Sequence, residues 1–398
     1  MAESVSDLRR LAWKGLARLP RPVRELAYLP VRRTGDAQLR ALTPMPAAQR
    51  RLYLGPWNTA GAARGWAQAA QEHLPNTAAQ NLWAQRTSTQ AHFAYAADHK
   101  LSIVAQRGHV RRIHGERVLR EATHVIFESG RPVLANFHAG SMLEDVPALR
   151  AARIGYAVLY HGSDIRDLRE HAERYPHSPF RQEWDDYFTT LQSIVEKNRA
   201  ELADFDGTVF VPTPDLLDVL PDATWLPLVI DVDRFTTDAP ALERSVPVVL
   251  HAPSNPRLKG TAVVEDVLSR MGEEGLVEYR QLSGVPHAQM PAFVADADIV
   301  VDQVVLGNPG VLMAESWAAG RLVVSHLPES VRSRMAQADP DGQAAPVVEA
   351  DAGTLEEVLR EIVADPSSFQ DTAARGPAWA RRHHDGRRSA RVLADTLL

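Results

Sequence analysis

In the segment Ala297-Asp-Ile-Val-Val-Asp302-Gln-Val-Val-Leu-Gly307-Asn-Pro-Gly-Val311-Leu-Met-Ala-Glu315-Ser-Trp-Ala-Ala-Gly320-Arg-Leu-Val-Val324, an apolar run ends at an aspartate and a loop with two glycines and a proline follows. An apolar stretch, Val311 to Gly320, then leads into a second β-branched run. Runs that are apolar at every position belong to strands covered on both faces, which is the setting of a parallel sheet between layers of helices. Glycines before a helix let backbone N–H groups approach an anion, and the helix dipole adds to the attraction. Glu315 lies about one turn into that helix, among apolar residues. A carboxylate buried there needs a partner, because leaving it unpaired is expensive. Two readings are open. Glu315 accepts from the two vicinal hydroxyls of a ribose, or it caps or salt-bridges inside a structural helix.

The same strand-then-helix order extends outward in both directions. Strands are expected at 51–55, 79–84, 101–105, 132–137, 156–160, 207–211, 246–251, 277–282, 298–302 and 321–325. Helices are expected at 61–73, 109–128, 142–152, 181–203, 261–271, 289–297, 311–319 and 354–364. Ten strands interleaved with helices read as an α/β protein with two doubly wound sheets. A stretch with prolines and no helical period, Trp225 to Phe235 and on to Pro240, reads as the hinge. The expected division is a basic extension over 1–50, a first domain over 51–230, a second over 231–376, and a last helix over 377–398.

The chain has 398 residues, 45% of them apolar and 24% charged, which is globular composition and favours two domains. No window approaches the ~18 uninterrupted apolar residues of a membrane span, and the first 30 residues do not read as a signal peptide, so a cytoplasmic protein is expected. Cysteine is absent, which excludes disulfides, thiolate metal sites and a cysteine nucleophile. The formal charge of −6 is unevenly spread. Residues 1–50 hold ten Lys and Arg against four Asp and Glu, a net of +6, so the remainder carries −12. An acidic body argues against nucleic acid as a partner. In the head, Val5, Leu8, Ala12, Leu16 and Leu19 recur at helical spacing among arginines, so residues 1–40 are expected to make a shallow, salt-sensitive contact with an anionic membrane, or to pack on protein.

Other segments carry candidate chemistry. His251-Ala-Pro-Ser254-Asn-Pro-Arg257-Leu-Lys259-Gly-Thr261 follows an apolar strand. Its two cations at a strand's carboxyl end suit a diphosphate, or form a solvated surface pair. Two further apolar runs end in histidine: Val133 to His138, and Ala157 to His161, the latter followed by Gly-Ser-Asp164-Ile-Arg166. Strand carboxyl ends face the ligand crevice of such sheets, so both histidines are candidates. Gly55-Pro-Trp-Asn58-Thr-Ala-Gly61 follows the first strand but is not G-x-G-x-x-G. Asp231-Val-Asp233 and Asp296-Ala-Asp298 match D-x-D but lie at a hinge and a helix end, and are read as structural. No H-E-x-x-H, Walker loop or G-x-S-x-G occurs.

The segment around Glu315 resembles the E-x7-E nucleotide motif of family 4 retaining glycosyltransferases, which share the GT-B architecture of two Rossmann-like domains facing across a cleft. The resemblance implies that Glu315 holds the donor ribose. Gly307 stands where that family has its first glutamate, assigned to the transferred sugar. Gly307, Asn308, Pro309, Gly310 and Val311 match the loop whose backbone faces sugar and diphosphate. Lys259 aligns with the family lysine that neutralises the leaving diphosphate. The family arginine falls at Ser254, so Arg257 is expected to supply the second charge. Val285 and His287, in Gly284-Val-Pro-His-Ala-Gln-Met290, match the loop along the base. His161, Asp164 and Arg166 resemble an acceptor-domain loop that approaches the transferred sugar, with Asn58, Gly61 and His138 on the same side. The implied activity is transfer from a nucleotide-diphosphate sugar, with retention, to a glycan, lipid-linked or small-molecule acceptor. The nucleotide sugar is a substrate; neither metal nor cofactor is expected. An inverting transferase with His138, His161 or Asp164 as base is one alternative. A degenerate chain that only binds is another, supported by Gly307. The C-terminal helix is expected to cross back onto the first domain.

Overall fold

β-Branched and leucine-rich runs form two all-parallel sheets. The computed structural model describes residues 33–85, 95–102, 108–134, 137 and 140–398. The first sheet contains β1 (Arg50–Gly55), β2 (Thr77–Gln85), β3 (His99–Ser102), β4 (His124–Glu128), β5 (Gly155–Leu159), β6 (Thr208–Val211) and β7 (Thr224–Trp225). Its order is β3-β2-β1-β4-β5-β6-β7. The second contains β8 (Val248–His251), β9 (Glu278–Gln281), β10 (Ile299–Val301), β11 (Leu322–Ser325) and β12 (Val347–Glu349), in the order β12-β11-β10-β8-β9. Every residue of β8, β10 and β11 is buried, as strands with helices on both faces must be. Helices supply the apolar stripes that cover them. Leu355–Ala364 buries Leu355, Leu359 and Ile362, one face at a spacing of four and three.

Strand order reverses between β1 and β4 in the first sheet and between β8 and β10 in the second. Loops leaving neighbouring strands in opposite directions open a crevice at their carboxyl ends, the usual ligand position of such sheets. In the second sheet those loops are residues 252–259 and 302–310, so both candidate stretches of that half meet at one switch point.

Several strands differ from expectation. The expected helix over 109–128 ends at Glu121, and its last residues form β4, at the centre of the first sheet. In the expected strand over 132–137, the described residues 132–134 and 137 are not in a sheet: the N–H groups of Val133 and Leu134 donate to the Asp145 carboxylate, at 2.6 and 2.8 Å, instead of to a neighbouring strand. β7 and β12 were not expected. The long helix begins at Asp186, not 181, because Asp185 caps it by accepting from the N–H of Phe188. Residues 33–41 are helical, whereas the amphipathic pattern over residues 5–19 lies outside the described residues.

The C-terminal residues join the two halves. Helix Gly376–His384 packs on Val311–Ala318, and helix Arg387–Thr396 packs on Ala62–His73 of the first half. Ser389 donates to the carbonyl of Pro227 at 2.7 Å, and Leu393 enters the apolar cluster beneath β1 and β5. Across the cleft, Leu306 is seated in a cluster with Leu168, Phe180, Phe188 and Val195. Among the described residues no helix is long and apolar enough to cross a membrane.

Candidate functional site

β8 ends at His251, which is buried and fixed by hydrogen bonds to the Val301 carbonyl and the Thr261 hydroxyl, at 2.8 and 2.9 Å. The chain then turns into the short helix Pro256–Lys259, whose N-cap Asn255 accepts from the N–H of Arg257. Lys259 reaches Asp302, at the end of β10, with Nζ 2.8 Å from Oδ1. A Cβ on Gly310 would lie 3.1 Å from both Asp302 Oδ2 and Lys259 Nζ, so a larger residue would push on the pair, and glycine lets the backbone run this close to it. Gln303 shapes the loop between them. Its Oε1 accepts from the N–H groups of Val305, Leu306 and Gly307, and its amide donates to the carbonyl of His326. Helix Val311–Ala318 follows with Gly310 as N-cap and no side-chain cap, so its first N–H groups are open to a ligand.

Glu315 is buried in that helix with His287 against it, Oε1 to Nε2 at 2.6 Å. Burial pushes its carboxyl up from the usual range, and the bond to His287 opposes the push. The rings of Tyr95 and Phe235 lie 4.9 and 6.0 Å from the His287 ring and hold it in place.

The opposite wall comes from the first sheet. His161 follows β5, and its Nε2 lies 2.5 Å from Oε2 of Glu128, at the end of neighbouring β4. Trp66 stacks on the imidazole with centroids 6.0 Å apart. Burial alone pushes His161 down, but the Glu128 charge and hydrogen bond outweigh it, and the net shift is upward. Asp164 accepts from the backbone N–H groups of His161 and Gly162, at 2.8 and 2.9 Å. Arg166 is buried and paired with Asp215.

These two walls enclose a cavity of about 270 Å³. Of the residues singled out from sequence, it gathers Lys259, Ser254, Asn308, Pro309, Gly310, Val311, Val285, His287 and Glu315 from the second half, and His161 and Arg166 from the first. Others lie elsewhere. Arg257 turns out of the cavity, its guanidinium 4.0 Å from the centre of the Phe188 ring and 2.7 Å from Asp185. Asp164 does not line the cavity: its Oδ1 holds its own loop, while its buried Oδ2 has no hydrogen-bond partner among the described residues. Asn58 donates to the carbonyl of Ala96 and accepts from the N–H of Arg64, bracing the loop after β1. Gly61 borders a second, more polar cavity of about 450 Å³ that also reaches Tyr95, His287 and Glu315. Gly307 has φ +76°, and a Cβ there would meet Pro328 at 3.0 Å, so a side chain at this position heads away from the cavity. His138 lies outside the described residues. The D-x-D carboxylates are engaged: Asp231 caps helix Val232–Phe235, Asp233 pairs with Arg381, Asp296 with Arg244 and Arg280, and Asp298 accepts from the N–H groups of Leu242 and Val248.

No protein-family model matches the chain, and no curated protein sequence does. Solved structures match in fold. Anabaena HepE in complex with UDP-glucose aligns over 87% of this chain and 98% of its own, at 13% identity and a TM-score of 0.54. Sucrose-phosphate synthase from Thermosynechococcus elongatus aligns over 87% and 98%, at 12% identity and 0.52. WaaG, a glycosyltransferase involved in lipopolysaccharide biosynthesis, aligns over 85% and 98%, at 12% identity and 0.50. The fold is GT-B. In this GT-B chain the cleft is lined by several side chains that sequence reasoning missed: Glu128, Asp302, Thr213 and Tyr95 lie in or directly behind its walls. For Glu128 a signal was available, since Val125-Ile-Phe127 is an apolar β-favouring run closed by Ser129-Gly130.

Proposed function

We propose that the protein transfers a sugar from a nucleoside diphosphate to an acceptor hydroxyl, with retention and without a metal ion. One observation carries the reading: Lys259, the uncapped start of helix Val311–Ala318 and buried Glu315 line a single cavity with His161 across from them. A diphosphate only accepts hydrogen bonds and asks for cations and N–H donors, while a ribose diol can donate twice and suits a carboxylate. The cavity offers both, on adjacent turns of one half. HepE, matched in fold, is described in complex with UDP-glucose, which agrees with a nucleotide-sugar donor. In the reaction the bond from the anomeric carbon to the diphosphate oxygen breaks, and negative charge gathers on the phosphate. Lys259 and the helix N-terminus stabilise that charge where it forms. The acceptor oxygen bonds to the anomeric carbon on the face the diphosphate leaves, and the leaving phosphate takes its proton, so retention needs no side-chain base.

One observation favours an inverting second reading. His161 has Glu128 behind its ring, the arrangement by which a carboxylate orients an imidazole base. The anomeric configuration of the product separates the two readings. The test of the donor reading is a thermal-shift series with UDP, GDP, ADP, CDP and TDP, with and without Mg²⁺, followed by turnover with the matching sugar. A ligand at 100 times its Kd stabilises by about 2.7 kcal/mol. No shift with any of the five overturns the reading.

A further inference from the structure

Three polar atoms in the cavity wall have no hydrogen-bond partner among the described residues: Asp302 Oδ2, Asn308 Oδ1 and Thr213 Oγ1. Each of the three atoms is buried; as residues, Asp302 is 1% and Thr213 5% exposed, and Asn308 is half-buried. Thr213 stands as N-cap of a short 3-10 turn, yet its hydroxyl makes no cap bond. Folded proteins pair nearly all such groups, and a buried acceptor without a donor is costly. Three of them around one cavity are a demand for donors from a ligand.

Their chemistry narrows the ligand. A carboxylate oxygen and an amide carbonyl oxygen only accept, and a hydroxyl does either. Phosphate oxygens also only accept, so a diphosphate satisfies neither Asp302 nor Asn308. The hydroxyls of a sugar ring donate, and several project from one small ring. The placement agrees. Asp302 Oδ1 is held by Lys259, and Oδ2 and the lysine Nζ each lie 3.1 Å from the same point beside Gly310. The hydroxyl acceptor therefore adjoins the cation assigned to the diphosphate, which is where a sugar bonded to that diphosphate has to be. Gly307 offers no side chain, and one placed there would run into Pro328.

We propose that Asp302 and Asn308, with Thr213 from across the cleft, form the subsite that reads the hydroxyls of the transferred sugar, in place of a carboxylate at position 307. The proposal rests on the nucleotide-sugar reading of the cavity and names its specificity-determining residues.

Calorimetry without any acceptor tests it, using UDP against UDP-glucose, GDP against GDP-mannose and ADP against ADP-glucose. The readout is the ratio of sugar-nucleotide to nucleotide affinity, in wild type and in Thr213→Val, Asn308→Ala and Asp302→Asn. The first two variants leave the Lys259 pair intact, and threonine to valine keeps the shape, so they decide the matter if Asp302→Asn fails to fold. In the nucleotide series that binds, wild type is expected to prefer the sugar form. The ratio should fall about tenfold in Thr213→Val and Asn308→Ala, and on the order of a hundredfold in Asp302→Asn, where the lost acceptor is charged. Nucleotide binding by wild type with no gain from the sugar, or the same ratio in wild type and variants, overturns the subsite and leaves the donor site standing. An unchanged ratio together with a raised acceptor KM in separate rate measurements assigns the three groups to acceptor hydroxyls and also overturns it. Failure of wild type to bind any of the six probes removes the donor reading itself, and the subsite with it.

Discussion

Lys259→Met removes the cation that the donor reading needs most, but the structure gives that lysine a second duty. Asp302 is 1% exposed and Lys259 15%, and they are 2.8 Å apart. Removing one partner of a buried pair leaves the other charge uncompensated and costs roughly 3–5 kcal/mol. The lysine keeps some contact with water, so about 3 kcal/mol is the figure for this site. Losing a preorganised charge from a transition state costs on the order of 10²–10³ in rate, a similar energy by a different route. A slow variant alone therefore proves nothing, and the double variant Lys259→Met/Asp302→Asn separates the two effects when read against Asp302→Asn alone, since Asp302 is also assigned to the sugar. Neutralising both partners should restore most of the lost stability, because no unpaired charge remains, while turnover stays at least a hundredfold down. Denaturant unfolding gives the first number, and initial rates at saturating donor give the second. If the double variant regained wild-type turnover along with its stability, Lys259 would be a structural cation and the diphosphate would have to bind elsewhere.

Glu315→Gln should weaken nucleoside diphosphate binding about tenfold by calorimetry, since a charged acceptor becomes a neutral amide. EDTA should leave the initial rate within a factor of about two, because the charges stabilising the leaving group are Lys259 and backbone N–H groups; complete loss restored by Mg²⁺ or Mn²⁺ would refute this. Glu128→Gln should change the pH dependence of stability. His161 is raised above its ordinary value of 6.5 by Glu128, against burial. A group raised on folding adds stability that is full below the unfolded pKa and lost as pH climbs through the folded one. Wild type should therefore lose stability above about pH 6.5, and Glu128→Gln should flatten that loss in unfolding curves taken from pH 5 to 9.

What could be read from sequence depended on whether the signal was local. β8, β10 and β11 stood out because covering both faces makes a strand apolar at every position, and the loops after β8 and β10 then fell at the switch point with Lys259, Gly310 and Glu315. β4 was missed because no glycine or proline separates it from the preceding helix: only Ala122, in extended conformation, and Thr123 lie between Glu121 and the first strand residue, His124. Glu128 was lost with it. Arg257 was misplaced for a geometric reason. Residues two apart on a helix point to nearly opposite sides, so in Pro256–Lys259 the arginine and lysine cannot both face one diphosphate. Asp302, Asn308 and Thr213 become recognisable only in three dimensions, since an acceptor left without a donor is a statement about neighbours distant in sequence.

The loop that would face the donor is also the loop that holds the halves together, and this links binding to domain movement. Leu306 leaves the second half to sit among Leu168, Phe180 and Phe188 of the first, and its carbonyl accepts from His171 Nε2 at 3.1 Å. Burial pushes His171 down to about 3, so the ring is neutral near pH 7 and donates from Nε2 while Nδ1 faces the Ser178 hydroxyl. Withdrawing a buried leucine costs about 1.5–3 kcal/mol and losing the hydrogen bond about 1. Opening the cleft at this contact is therefore disfavoured by roughly 2.5–4 kcal/mol, on the order of a hundredfold to several hundredfold in population. The Arg257–Asp185 pair at the rim is exposed and adds little. Asn308 lies two residues beyond Leu306, so a ligand that supplies its missing donor stiffens the segment whose insertion keeps the cleft closed. Closure and ligand binding then favour each other, with Gln303, which fixes the backbone from Val305 to Gly307, as the mechanical connection between them.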